Sequence, residues 1–209
     1  MKKLSIYLLA LTSLLLGQCT SSSKLVVPTS DKLPNIDNNY SIVWVGSGES
    51  YFYNNGEYVR SESDDYAFEV VQRRYGRKWK SIKNMHRIHP DYDGRAGDRE
   101  QTMFFAIDFS EDGNDIISKI TSSLGSGLGT SDGEFRKQRL QLEVDGISSL
   151  APYNTIRITQ EYLYEEGQLL EVVELFKIKN GMEIPFVKIE ETAYIFRPTS
   201  LEDAPTSFY

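Results

Sequence analysis

The sequence predicts a mainly β protein: an antiparallel meander forming a barrel or a two-sheet sandwich, with at most one or two short helices. Three observations point there. Apolar residues recur with a period of two through most of residues 40–198, as strands with one buried face require. Asn-Gly and Glu-Gly pairs separate those runs at hairpin spacing. About eight to ten antiparallel strands in a single domain protect their edges best when a barrel or a sandwich closes around them.

The elements follow in chain order. "YSIVWVG", from Tyr40, is apolar on both faces, as a buried strand would be. "SYFYNNGEYVR" sets Asn55-Gly56 between aromatic β-formers, and both central residues of a type I′ turn need positive φ. "DYAFEVVQRRYGRKWKSI" gives a strand, a turn at Gly76 and a second strand, and "QTMFFAIDF" and "RLQLEVDG" add two more. "NTIRITQEYLYEEGQLLEVVELFKIKNGMEIPFVKIEETAYIFR" has turns at Glu166-Gly167 and Asn180-Gly181 between three long β-rich runs, an antiparallel meander. "NDIISKITSSLG" stays open. As a helix it would be capped by Asn114 or Asp115 and would gather Ile116, Ile117, Ile120 and Leu124 on one face; as a strand it would alternate Ile116, Ile120 and Leu124. "GSGLGTSDGE", Gly125 to Glu134, has no Lys-Ser/Thr pair and offers Asp132 and Glu134 where phosphate would want positive charge, so it reads as a mobile connection.

The stretch that could carry chemistry is "HRIHPDYDGRAGDRE", His86 to Glu100, which holds both histidines of the chain. Pro90 disfavours helical backbone at His89, and in a strand residues three apart face opposite ways, so neither geometry joins His86 to His89. Counted from His89, residues Asp91, Asp93, Gly94 and Glu100 fall at positions of an EF-hand-like calcium loop, in which alternate carboxylates converge on the ion. Histidine at the first position, the proline after it and the strand-like "QTMFFAIDF" where a helix belongs all depart from that pattern. The plainer expectation is no cofactor and a hairpin loop in which Arg87, Arg95 and Arg99 pair with Asp91, Asp93 and Asp98. The aromatic cluster Tyr51, Tyr53 and Tyr58 suits a binding surface, and it equally suits ordinary strands.

The chain opens "MKKLSIYLLALTSLLLGQC": two lysines, an apolar run from Leu4 to Leu16, small or polar residues, and Cys19, the only cysteine. An apolar run of this length is too short to span a bilayer as a permanent helix and has the form of an export leader. A lone thiol in an exported chain makes no internal disulfide. "LGQC", with Leu16, Gly17 and Gln18 before Cys19, resembles the lipobox of bacterial lipoproteins, and Gln18 in particular resembles the relaxed form in spirochaetes, leptospires among them. The resemblance covers the leader and the polar tether after it. It implies cleavage before Cys19 and acylation of that residue, hence anchoring in the cell envelope, at the outer membrane on its periplasmic or surface face. It implies no activity, and no enzyme family is recognised.

This divides the chain into a leader at 1–18, a lipidated cysteine and flexible tether at 19–39, one β-rich domain at 40–198 and a tail at 199–209. The net charge is −7, and cleavage would remove Lys2 and Lys3 besides. Such a body attracts neither nucleic acid nor anionic lipid, because both attractions rest on Lys and Arg neutralising phosphate. Membrane hold would therefore come from acyl chains. H-E-x-x-H is absent from the sequence. The expectation is a membrane-anchored envelope lipoprotein whose β domain binds a protein or small ligand without chemistry. The alternative is a metal-supported hydrolase using the His86–Glu100 loop, with His89, Asp91, Asp93 and Glu100 as ligands.

Overall fold

A computed structural model describes residues 40–94, 97–113, 115–145 and 153–196. The leader, Cys19, the tether, Arg95, Asn114 and the tail at 199–209 lie outside the described residues. Within them run β1 (Tyr40–Asn54), β2 (Glu57–Arg60), β3 (Tyr66–Tyr75), β4 (Lys78–His86), β5 (Glu100–Asp112), β6 (Asp115–Ser122), β7 (Gly125–Ser131), β8 (Lys137–Val144), β9 (Thr155–Leu163), β10 (Gln168–Lys179) and β11 (Met182–Ile195). Among the described residues the one helical element is a 3₁₀ turn at Glu62–Asp64.

Each strand pairs antiparallel with its neighbour, and β11 returns to β1, from Trp44 opposite Ile195 to Phe52 opposite Val187. Ten strands thereby close into a barrel, while β2 pairs with the far end of β1 as a hairpin arm. Of the two architectures open to the sequence, the barrel is the one formed. Its hairpins use the turns their residues require: Asn55 and Gly56 have φ of 50° and 98°, and Asn180 and Gly181 have 55° and 75°, the left-handed backbone of type I′ turns.

Alternation decides what faces in. On β4, Trp79, Lys83 and Met85 are buried and Lys80, Ile82 and His86 are exposed; on β8, Gln138, Leu140 and Leu142 are buried and Lys137, Arg139 and Gln141 are exposed. The interior is mostly hydrocarbon, with Ile42, Trp44, Ile107, Ile120, Leu142 and Ile156 at its core. The outer face carries charges, among them Lys80, Asp108, Lys119, Arg139 and Glu190.

The stretch left open between helix and strand is β6. Ile116 and Ile120 are buried, while Ile117 falls on the opposite face, because hydrogen-bonding partners stand on both sides in β5 and β7. The reading of "GSGLGTSDGE" as a mobile connection is corrected: Gly125–Ser131 is strand β7, paired along its length with β6 and β8. A Cβ at Gly125, Gly127 or Gly129 would overlap the backbone carbonyls of Glu143, Gln141 and Arg139. The glycines there allow close approach of two backbones and do not loosen the chain.

The barrel has two distinct ends. At one, the β7–β8 turn folds Phe135 inward on a backbone of φ 56°, its ring centroid 5.0 Å from Phe109 and 6.1 Å from Trp79. β1 starts and β11 finishes at this Phe135 end, where Tyr40 pairs with Arg74 and Trp44 with Ile195. At the other, the β4–β5 loop turns Arg87 and Tyr92 inward, and both are buried.

Candidate functional site

Midway along the barrel the hydrocarbon lining is broken by three charged side chains pointing inward: Lys83 from β4, Glu171 from β10 and Glu191 from β11, which are 7, 9 and 5 % exposed. Lys83 Nζ lies 3.5 Å from Glu171 Oε1 and donates to both carboxylate oxygens of Glu191. The Tyr66 hydroxyl donates to Glu191, and the Gln160 amide donates to Glu171. From Gln160 the network runs on. The Tyr162 hydroxyl donates to Gln160 Oε1 at 3.3 Å and accepts from Gln72 Nε2 at 3.3 Å, and Arg74 donates to Gln72 Oε1 at 3.0 and 3.2 Å. Arg74 Nη1 then donates to the Tyr164 hydroxyl at 2.6 Å, with the guanidinium 3.6 Å from the Trp79 ring centroid. Buried ions persist when they are paired and hydrogen-bonded in this way.

The charge balance is uneven, since two carboxylates share one ammonium. Burial pushes the Glu191 carboxyl up, Lys83 opposes, Glu171 adds to the rise, and the result is about 7. Burial alone would lower the Lys83 ammonium, but Glu191 and Glu171 outweigh it and raise it. Burial, then the neighbouring Glu191, holds the Tyr66 phenol well above its usual value. The centre therefore keeps a proton that a change of pH near neutrality removes.

On either side of this centre the barrel is not quite filled. Barrel diameter grows with strand number, and eight strands leave an interior that side chains just fill; ten leave gaps. Towards the Phe135 end a cavity of about 60 Å³ is bounded by Trp44, Val70, Gln72, Ile120, Leu140 and Leu169. Towards the Tyr92 end a cavity of about 70 Å³ is bounded by Met85, Arg87, Gln101, Met103, Leu124 and Leu175. Lys83, Phe105, Ile158, Glu171 and Glu191 border both. Each has room for several water molecules or a small organic group.

The residues singled out in the sequence lie elsewhere. His86 and Glu100 are exposed cross-strand partners, Nδ1 to Oε1 at 3.3 Å. Asp91 and Asp93 sit exposed in the loop, where His89 Nδ1 accepts from the Asp91 backbone N–H at 3.2 Å. Among the described residues no three His, Cys, Asp or Glu side chains gather closely enough to hold a metal. For Arg87 and Arg99 the expected pairing with aspartates gives way to backbone contacts, while Arg95 lies outside the described residues. Arg99 donates to the carbonyls of His89 at 2.9 Å and Pro90 at 3.1 Å, and Arg87 to that of Asp98 at 2.9 Å. A five-donor guanidinium can satisfy several carbonyls of a tight loop at once. Tyr51, Tyr53 and Tyr58 build the β1–β2 arm. Tyr53 stacks edge-on against its cross-strand partner Tyr58 at 5.3 Å, and Tyr51 lies 4.6 Å from the Lys188 ammonium while donating to Glu49 at 3.0 Å.

The signal for the interior centre was present in the alternation. Lys83 stands in phase with Trp79 and Met85, Glu171 with Leu169 and Leu175, and Glu191 with Val187 and Ala193. A charge at an apolar position of a period-two run marks a side chain turned into the core. Scans of the chain against protein-family models and against curated proteins find no match.

Proposed function

We propose that this chain is a lipid-anchored envelope protein whose barrel holds a small ligand and performs no chemistry on it. The observation that carries the reading is the pair of interior cavities sharing the buried Lys83–Glu171–Glu191 centre. Apolar enclosures with a few convergent polar groups, one of them with a displaced titration, are the usual form of a small-molecule site. Acylation of Cys19, which follows the leader at 1–18, would supply the anchor, and the charged outer wall suits a barrel standing in water beside the membrane.

Native mass spectrometry of the full chain, extracted from membranes in mild detergent, tests both halves. The expected spectrum shows acyl mass on the N-terminal cysteine, lost in Cys19→Ser, together with a small-molecule adduct. Acyl mass retained in Cys19→Ser would overturn the anchor. A bare chain whose melting temperature no small-molecule library shifts would overturn the container.

A second reading, docking of a protein, draws on the outer face of β3, β4 and β5. There Val71, Ile82 and Phe104 form one apolar row across the strands beside a row of Arg73, Lys80 and Ala106. The same spectrum separates the two, because a docked protein adds a mass far above that of a metabolite.

A further inference from the structure

The cavity at the Tyr92 end has hydrogen-bond donors without acceptors. Arg87 is 4 % exposed, yet its Nε is buried with no partner, and Gln101 Nε2 is likewise buried without one. Both residues border this one cavity. The strand register explains why they meet there. Met85 pairs with Gln101, and Arg87 lies two residues beyond Met85 on the same inward face, which makes Arg87 and Gln101 diagonal neighbours on adjoining strands. Backbones so placed are about 7–8 Å apart, close enough for two long side chains to share one group.

Arg87 has no carboxylate partner among the described residues. Its Nη1 donates to the Asp98 carbonyl at 2.9 Å, and the rings of Tyr66 and Tyr92 flank the guanidinium at 5.6 and 5.0 Å. A buried donor with no acceptor is expensive, more so on a cation, and the cost is relieved by an acceptor that fits. The remaining wall is hydrocarbon and thioether, and methionine adapts to irregular contents. Charge also favours an anion. When Glu191 holds its proton, Lys83 and Arg87 face Glu171 alone, which leaves one positive charge in excess.

We propose that this cavity takes a short apolar carboxylate, its acid group accepting from Arg87 Nε and Gln101 Nε2 and its hydrocarbon body packed against Met85, Met103 and Leu124. This rests on the reading of the barrel as a small-ligand container. The volume of about 70 Å³ limits the ligand to a short chain or small ring.

Calorimetric titration of the full chain with hexanoate, 1-hexanol and hexylamine at slightly acidic pH tests the assignment. Hexanoate is expected to bind at least about tenfold more tightly than the other two, because a charge-assisted pair of donors is satisfied by the acid alone. Gln101→Leu should reduce that preference and Arg87→Met abolish it, with melting curves confirming that each variant is folded. If Arg87→Met does not fold, Gln101→Leu decides. Equal affinity for the alcohol, preference for the amine, or a preference unchanged in Gln101→Leu would overturn the carboxylate assignment and leave the container standing. So would failure of all three probes while a different small molecule travels with the chain in the native spectrum. Failure of all three with no adduct of any kind would overturn both.

Discussion

At the scale of single residues, the most consequential group is Glu191. An unfolded carboxylate of this type titrates near about 4.3, whereas burial holds this one at about 7. Between those values the folded form binds more protons than the unfolded form, so stability falls as pH rises through that window and levels off above it. Glu191→Gln removes the titration while its amide oxygen can still accept from Tyr66. The expected outcome is that the wild type loses on the order of a few kcal/mol relative to the variant between mildly acid and neutral pH. Denaturant midpoints measured across that range check it, and parallel curves would rule out Glu191 as the titrating group. At this scale the sequence was only half legible. The phase of Lys83, Glu171 and Glu191 shows that each turns inward, but their meeting depends on β4 standing across the barrel from β10 and β11, which no local pattern encodes.

At the scale of elements, alternation was a sound guide wherever side chains existed to alternate. β3, β4, β5, β8 and the β9–β10–β11 meander lie where period two and the glycine turns put them. β7 was missed because the residues that identify it are absent: Gly125, Gly127 and Gly129 occupy inward positions where the neighbouring backbone leaves no space for a Cβ. Glycine is disfavoured in strands on its own account, so a demand of tertiary origin reads locally as looseness. The two readings make different demands on a methyl group. Gly127→Ala is expected to destabilise the barrel by about 1–3 kcal/mol, as overpacking does, whereas Gly133→Ala, where a Cβ would meet nothing within 4 Å, should lie within about 0.5 kcal/mol of wild type. Chemical denaturation of the two variants side by side makes the comparison, and equal stability would mean that β7 has space its backbone does not show.

At the scale of the whole molecule, barrel and sandwich could not be told apart from the sequence, because both consist of the same hairpins. The difference is one seam, β1 against β11, joining residues as distant in the chain as Trp44 and Ile195. That seam also fixes a direction. β1 starts and β11 finishes at the Phe135 end, so the chain preceding Tyr40 enters the barrel there, and the Arg87 cavity, the Tyr92 loop and the β1–β2 arm all lie at the opposite end. On the proposed acylation of Cys19, a barrel held by its N-terminus would stand on its Phe135 end and turn its Arg87 cavity to the aqueous side, so that a ligand arriving from solution would meet it without first crossing the lipid surface. Two labels read this polarity. A fluorophore on Gly133→Cys, at the base, should be quenched by a quencher carried on lipid headgroups, and one on Glu57→Cys, at the tip of the arm, should not. The reverse order would mean that the barrel faces the bilayer with its Tyr92 end, and its contents would then be exchanged with the membrane instead of with water.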